Sequence, residues 1–246
     1  MRKYIQSISI LLILQLAICA DALSPSQILE KAIKRMDGID HQMTIKIQSK
    51  DKNDKVETSN LELFVHWQTD QDKYKMVHVK ELTDGKKKGR QLWVHTYKDG
   101  KEKKWIRMPR SGKIKDLTGK KSSDKVDLSS VTMPLTLLDK EIVFLEDQDI
   151  NEIPCKVIEV KRKGGNIRLW IDASEYIVHK KQFYDKDNKI EREVAYEGLT
   201  VQDDLKFYNH EIIHNKKKNS VVEIFLTAIE KKTFSDINLF SIPKEK

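Results

Sequence analysis

Seven histidines, at positions 41, 66, 78, 95, 179, 210 and 214, are the side chains here best suited to acid–base work or metal binding. His66, His78 and His95 could share one sheet neighbourhood, but their flanking charges point to an outward polar face. Their spacing matches no metal-ligand motif. His210 and His214 would share a helix face, yet "KFYNHEIIHN" reads as a strand. Asp172 in "LWIDAS" suits a turn or strand end better than acid catalysis. The chain carries no glycine-rich phosphate loop and no G-x-S-x-G nucleophile elbow. No catalytic residue, metal site or cofactor is therefore expected.

The N-terminus reads as an export signal. Arg2 and Lys3 precede the apolar run Ile8–Ile18, and Ala20-Asp21-Ala22 supplies small residues in an A-x-A arrangement. The run is too short to span a bilayer comfortably. Cleavage near Ala22 leaves residues 23–246 as a single exported domain, with Cys155 its lone cysteine. That excludes an intramolecular disulfide and a metal site built on several thiols. The alternative, a lipid anchor through Cys19, is disfavoured by the bulky Ile18 before it.

Loss of Arg2, Lys3 and Asp21 takes the formal net charge from +8 to +7. The basic and acidic residues are interleaved, which describes a solvated surface. A nucleic-acid protein would concentrate its basic groups among stacking aromatics, so no nucleic-acid partner is expected.

The elements that must position any site begin with a helix. Ser24 is a suitable cap, Pro25 suits the first turn, and Ile28, Leu29, Ala32, Ile33 and Met36 recur at helical spacing before Gly38. From residue 41 the pattern changes to period two, as in "HQMTIKIQSK" (41–50) and "NLELFVHWQ" (60–68). Turn chemistry at Asp84-Gly85, Asp99-Gly100, Gly164-Gly165, Asp185–Lys189 and Lys216–Asn219 divides the rest into strands in meander order. One stretch, "SSDKVDLSSVTMPLTLLDKE" (122–141), is apolar without alternation and reads as short helices or a folded loop.

The hairpin around Asp99-Gly100 poses a question. A two-residue turn would set Val94 opposite Trp105 and Trp93 opposite Ile106. Both faces of the sheet would then carry large apolar groups, in a chain that is 34% charged. Either the sheet curls around an apolar cavity, or the helix and the insert fill its concavity as an ordinary core. Pattern alone favours the filled core.

A series of segments resembles the outer-membrane lipoprotein-sorting family, the LolA-like periplasmic carriers. It comprises "KGRQLWVHTY" (88–97), "WIRMPRSGKIKDLT" (105–118), "EIPCKVIEVKRK" (152–163), "RLWIDASEYIVHKKQFYDKDNKIERE" (168–193) and "FSDINLFSI" (234–242). The family's glycine- and aspartate-rich segment is replaced here by "SSDKVDLSSVTMPLTLL". The resemblance implies an incomplete, half-open antiparallel β-barrel of about ten to eleven strands, with the N-terminal helix and the insert closing its mouth. It implies a periplasmic, non-enzymatic, monomeric carrier of acylated lipoproteins or other lipids. An inner-membrane donor transporter and an outer-membrane acceptor would be its partners. An envelope hydrolase using the same cleft, or a structural envelope domain with a filled core, are the alternatives.

On this reading the cavity wall is Leu63, Val65 and Trp67, continued by one hairpin face: Val94 with Trp105, or Trp93 with Ile106. Trp67 and Trp105 are the expected ligand contacts. Residues 126–138 form a mobile lid, whose Val131, Met133, Leu135, Leu137 and Leu138 cover the mouth when cargo is absent.

Overall fold

The computed structural model describes residues 23–67, 72–85, 88–119 and 133–243. The signal-peptide segment, and residues 126–132 of the expected lid with Val131, lie outside the described residues.

Helix α1 (Pro25–Ile33) starts as the sequence predicts. The Ser24 hydroxyl accepts from the Gln27 amide, and the Gln27 side chain answers the Ser24 amide at 2.8 Å. Its buried stripe is Ile28, Leu29 and Ala32. Fourteen strands follow among the described residues: β1 (His41–Lys50), β2 (Val56–Trp67), β3 (Lys73–Glu81), β4 (Gln91–Tyr97), β5 (Glu102–Arg107), β6 (Ile114–Asp116), β7 (Ile142–Phe144), β8 (Gln148–Ile150), β9 (Ile153–Arg162), β10 (Gly165–Asp172), β11 (Val178–Tyr184), β12 (Ile190–Gln202), β13 (Leu205–Asn215) and β14 (Ser220–Lys231). The expected ten to eleven is an undercount. The missed strands β6, β7 and β8 are three residues each, too short to display an alternation.

All neighbours pair antiparallel in one sheet ordered β6-β5-β4-β3-β2-β1-β14-β13-β12-β11-β10-β9-β7, with β8 also on β9. The first and last long strands meet at a central β1–β14 seam, and the edges β6 and β7 stay unjoined, so the sheet is open rather than a closed barrel.

The inner face carries α1. At one end Ile158, Val160, Ile167, Leu169 and Ile171 pack beneath Ile28 and Leu29. Further along, Leu63, Val65, Val77, Val79 and Val94 join Val194, Ile213 and Ile224 in the largest apolar cluster. Residues 135–137 form a single 3-10 turn. This turn sits beside the β4–β5 turn, with Thr136 Cγ2 and Leu135 Cβ facing Gly100, while Leu137 and Leu138 join the cluster under α1. The insert thus bridges the two ends of the inner face.

The hairpin register differs from a two-residue turn. Tyr97 and Lys101 close a loop of three residues, with Gly100 at φ 77° in the left-handed position. The extra residue slips the pairing by one, so Trp93 opposes Trp105 and Leu92 opposes Ile106. Successive residues alternate faces. Val94 therefore shares the inner face with Leu63 and Val65, whereas Trp105 shares the outer face with Trp93 and His95.

The outer face is apolar there because the chain's own C-terminal segment covers it. Phe240, 1% exposed, packs on Phe64 and Met76 together with Phe234 and Leu239. Trp93 Nε1 donates to the Leu239 carbonyl at 3.3 Å, and His95 Nε2 lies 2.9 Å from the Phe240 carbonyl oxygen. His78 stacks on Trp93 at 4.8 Å between ring centres. His78 and His95 are buried, not on the polar surface their neighbours in sequence suggested. Burial lowers the pKa of both, His78 to about 4, so they are neutral core groups.

Candidate functional site

The site is built on the inner face. Strands β1 to β4 present apolar side chains at every second position, and the register carries them across the seam: Val94 faces Val77, Val77 faces Val65, and Ile47 faces Ile224. Leu63 and Val65 are 2% and 5% exposed, so the wall lies closed on itself. Around it sits a ring of half-buried apolar residues that includes Trp67, Leu92, Phe183 and Phe207.

Two polar groupings interrupt this wall. The deeper one uses the inner positions of β11, β12 and β13. Tyr196 opposes Glu211, and the Lys181 ammonium lies 5.4 Å over the Tyr196 ring. Arg192 stacks 3.7 Å over the ring of Phe183. Burial pushes the Lys181 pKa down and that of Glu211 up to about 7, with Lys181 and Arg192 pulling Glu211 back. Burial and the Glu211 charge push the Tyr196 phenol well up. Glu211 Oε1 has no hydrogen-bond partner among the described residues.

The second grouping lines a crevice of about 20 Å³, room for about one water-sized group, where the end of α1 and residues 133–135 meet the sheet. Ile33 and Asp37 form one side, Met133, Pro134 and Leu135 another, and Trp67, Tyr74, Lys75, Thr96 and Glu102 the floor. A bulge in β3 between Lys73 and Lys75 adds one residue to the strand. Such a bulge re-aims side chains, and here Tyr74 and Lys75 both reach the crevice. The Tyr74 hydroxyl donates to Asp37 Oδ2, and Tyr74 meets Trp67 edge-on at 5.2 Å. Lys75 Nζ lies 5.1 Å over the Trp67 ring. Burial raises Asp37 to about 6 against the pull of Lys75 and Lys34, and burial lowers Lys75 against Glu102 and Asp37.

Of the residues expected from sequence, Leu63, Val65 and Val94 lie in the wall, and Trp67, Met133 and Leu135 in the crevice. Leu137 and Leu138 pack under α1. Trp105 is on the far side of the sheet, where it meets His95 edge-on at 5.1 Å. The polar members were missed. Lys181 and Glu211 occupy the inner phase of their strands and could have been read as charges inside an apolar alternation. Lys75 and Thr96 likewise continue the inner phases of Val77 and Val94, and Asp37 left no such mark.

A buried polar chain runs from Asp172 Oδ2, 3.8 Å from His179 Nε2, through His179 Nδ1 to the Tyr208 hydroxyl. Asp172 Oδ1 accepts from the Ser174 amide at 2.7 Å, the Ser174 hydroxyl at 2.5 Å and the Glu175 amide at 3.2 Å. It holds the β10–β11 turn. His210 bridges Glu197 and Glu223 across neighbouring strands at 3.2 and 3.0 Å. Among the described residues no three His, Cys, Asp or Glu side chains group as metal ligands.

The open antiparallel sheet carrying one helix on its inner face is a fold shared with solved structures. A DUF1329 family protein from Desulfovibrio piger superposes with a TM-score of 0.75 at 13% identity, over 89% of this chain and 98% of its own. A domain described as an outer membrane lipoprotein-sorting protein, from Vibrio parahaemolyticus, gives 0.74 at 16% identity, over 88% and 96%. A LolA superfamily protein from Nitrosomonas europaea gives 0.67 at 15% identity, over 89% and 98%. In sequence, a family described as "Uncharacterized protein" matches residues 71–243, more than half of the chain, and the chain belongs to it. No curated protein matches the sequence.

Proposed function

We propose that this chain is a periplasmic carrier that takes up acyl chains of lipoproteins or other lipids and makes or breaks no bond. The observation that carries the reading is the apolar inner wall, continuous from Val94 through Leu63 and Val65 to Ile224 and Ile213 in a sheet whose edges are left open. The likeness to a lipoprotein-sorting domain supports it. Exposing an acyl chain of about sixteen carbons to water costs on the order of 10 kcal/mol, since each methylene contributes roughly 0.8. An apolar wall that parts to receive the chain removes most of that barrier. The wall's low exposure means that its two halves must separate on loading, with Trp67 and Val94 among the first contacts.

In this reading residues 1–22 are a signal peptide removed near Ala22, and the remainder works as one domain. The insert, from residue 126 through Leu138, is the lid whose apolar residues exchange the wall for cargo. An inner-membrane donor and an outer-membrane acceptor complete the route. Protein purified from the periplasm and extracted with organic solvent should yield acylated species in stoichiometric amount by mass spectrometry. A delipidated protein that takes up no fluorescent fatty acid, and carries none when isolated, would overturn the proposal.

A further inference from the structure

Three residues that line the crevice at the end of α1 each hold a buried polar atom without a hydrogen-bond partner among the described residues: Asp37 Oδ1, Trp67 Nε1 and Thr96 Oγ1. They come from three separate elements, the turn after α1, β2 and β4. Buried polar groups are paired almost everywhere in native proteins, because an orphan forfeits its water without compensation. Three orphans around one space are therefore a description of what enters it.

The inventory of the three is specific. An indole N–H only donates, a carboxylate oxygen only accepts, and a hydroxyl does either. Their complement is a small group with an acceptor oxygen next to an N–H or O–H. The charges of the crevice argue against an anion. Lys75 is answered from two sides by Asp37 and Glu102, and Lys34 is the other cation beside Asp37. A carboxylate placed among the three orphans would meet the Asp37 carboxylate without a free cation in exchange. The space admits one hydroxyl or amide group and is far too small for an acyl chain. Its floor is Trp67 and Thr96, the outer ends of the strands that carry Val65 and Val94. A head held here points its tail down the apolar wall.

We infer that the crevice is a head-group subsite for neutral, hydrogen-bonding acyl lipids, whose hydroxyl or amide head is held by Trp67, Thr96 and Asp37 in preference to a free fatty-acid carboxylate. The inference rests on the carrier reading and adds the class of cargo to it.

Three probes with the same sixteen-carbon chain test it by competition with a fluorescent fatty acid at pH 7.5: monopalmitoylglycerol, N-palmitoylethanolamine and palmitate. Both neutral heads should bind at least about tenfold tighter than palmitate, one good hydrogen-bonding difference being worth that factor. The tighter of the two then distinguishes a glyceride from an acyl amide as the source. Trp67→Phe keeps the ring and removes the N–H; Thr96→Val keeps the shape and removes the hydroxyl. Each should bring the neutral-to-palmitate ratio toward one, the ratio cancelling any acyl-chain contact that all three probes lose alike. Equal binding of all three probes by the wild-type protein sinks the subsite and leaves the carrier standing, and it does so without either variant. An unchanged ratio in folded Trp67→Phe and Thr96→Val does the same. If no probe binds, the carrier reading falls and the subsite with it.

Discussion

Replacing Glu211 by glutamine isolates the cost of holding a carboxylate inside the apolar face. The carboxyl sits on β13 opposite Tyr196, and burial raises it from an ordinary 4.5 to about 7. Between those two values the folded protein keeps a proton that the unfolded chain has released. The native state then binds more protons, so its stability falls as pH rises through the window. The loss is absent below pH 4.5 and complete above pH 7. At ~1.4 kcal/mol per pKa unit, the shift amounts to about 3 kcal/mol. The attraction of Lys181 and Arg192 is already contained in that figure, because both pull the carboxyl down. Glutamine has the same shape and nothing to titrate. Asp37, raised to about 6, titrates in the same direction, and His78, lowered to about 4, in the opposite one. Both proteins carry them, so they cancel in the difference. Urea denaturation followed by tryptophan fluorescence at pH 4.5, 6 and 7.5 should show Glu211→Gln gaining about 3 kcal/mol on the wild type across the range. A difference that stays flat, or falls, would mean that Glu211 is ionised and satisfied by Lys181 throughout, and the reasoning would be refuted.

Gly165→Ala should cost about 3 kcal/mol or prevent folding, since the residue sits at φ 144° and a Cβ there would lie 1.9 Å from the Tyr184 carbonyl oxygen; a denaturation midpoint equal to wild type would contradict the β10–β11 geometry. Phe240→Ala should cost ~3–5 kcal/mol by opening a cavity over Phe64 and Met76. It should also let water reach His78 and raise its pKa from about 4, as proton NMR of the imidazole would report. For the proposed lid, residues 133–138 hold only the single 3-10 turn, with Leu137 and Leu138 donating to Pro134 and Leu135. Their amide hydrogen exchange should change when an acyl chain is loaded, and equal, strong protection in both states would mark a fixed segment.

Most of the fold was legible because its signals are local. The cap at Ser24, the period-two strands and the glycine turns each follow from a few adjacent residues. The hairpin misled by one residue. Asp-Gly marks a turn, but two- and three-residue loops both accept it, with Gly100 in the left-handed region in either case. That one residue decides which face Trp105 occupies. Large apolar groups on both sides of β4 were correctly seen and wrongly explained. Their cover is Phe234 and Phe240, more than 120 residues away in the chain, and nothing near Trp93 in sequence announces it.

The wall and its polar interruptions differ in the same way. Leu63, Val65 and Val94 belong to alternations that any reader of the sequence can follow, and all three lie in the inner apolar cluster. Asp37 carries no pattern of its own, and Thr96 and Lys75 are polar ends of the inner alternations of β4 and β3. Asp37 follows a helix like any solvated residue, and Lys75, though two residues before Val77 on the same face, stands among the lysines of a basic surface. Only the three-dimensional meeting of α1, β2, β3 and β4 makes them one group, beside the unpaired atoms of Asp37, Trp67 and Thr96. An apolar wall alone would accept any chain of suitable length. On the carrier reading, discrimination between cargoes falls to polar groups at its end, where a wrong head would leave the orphans unpaired and the right one would pair them.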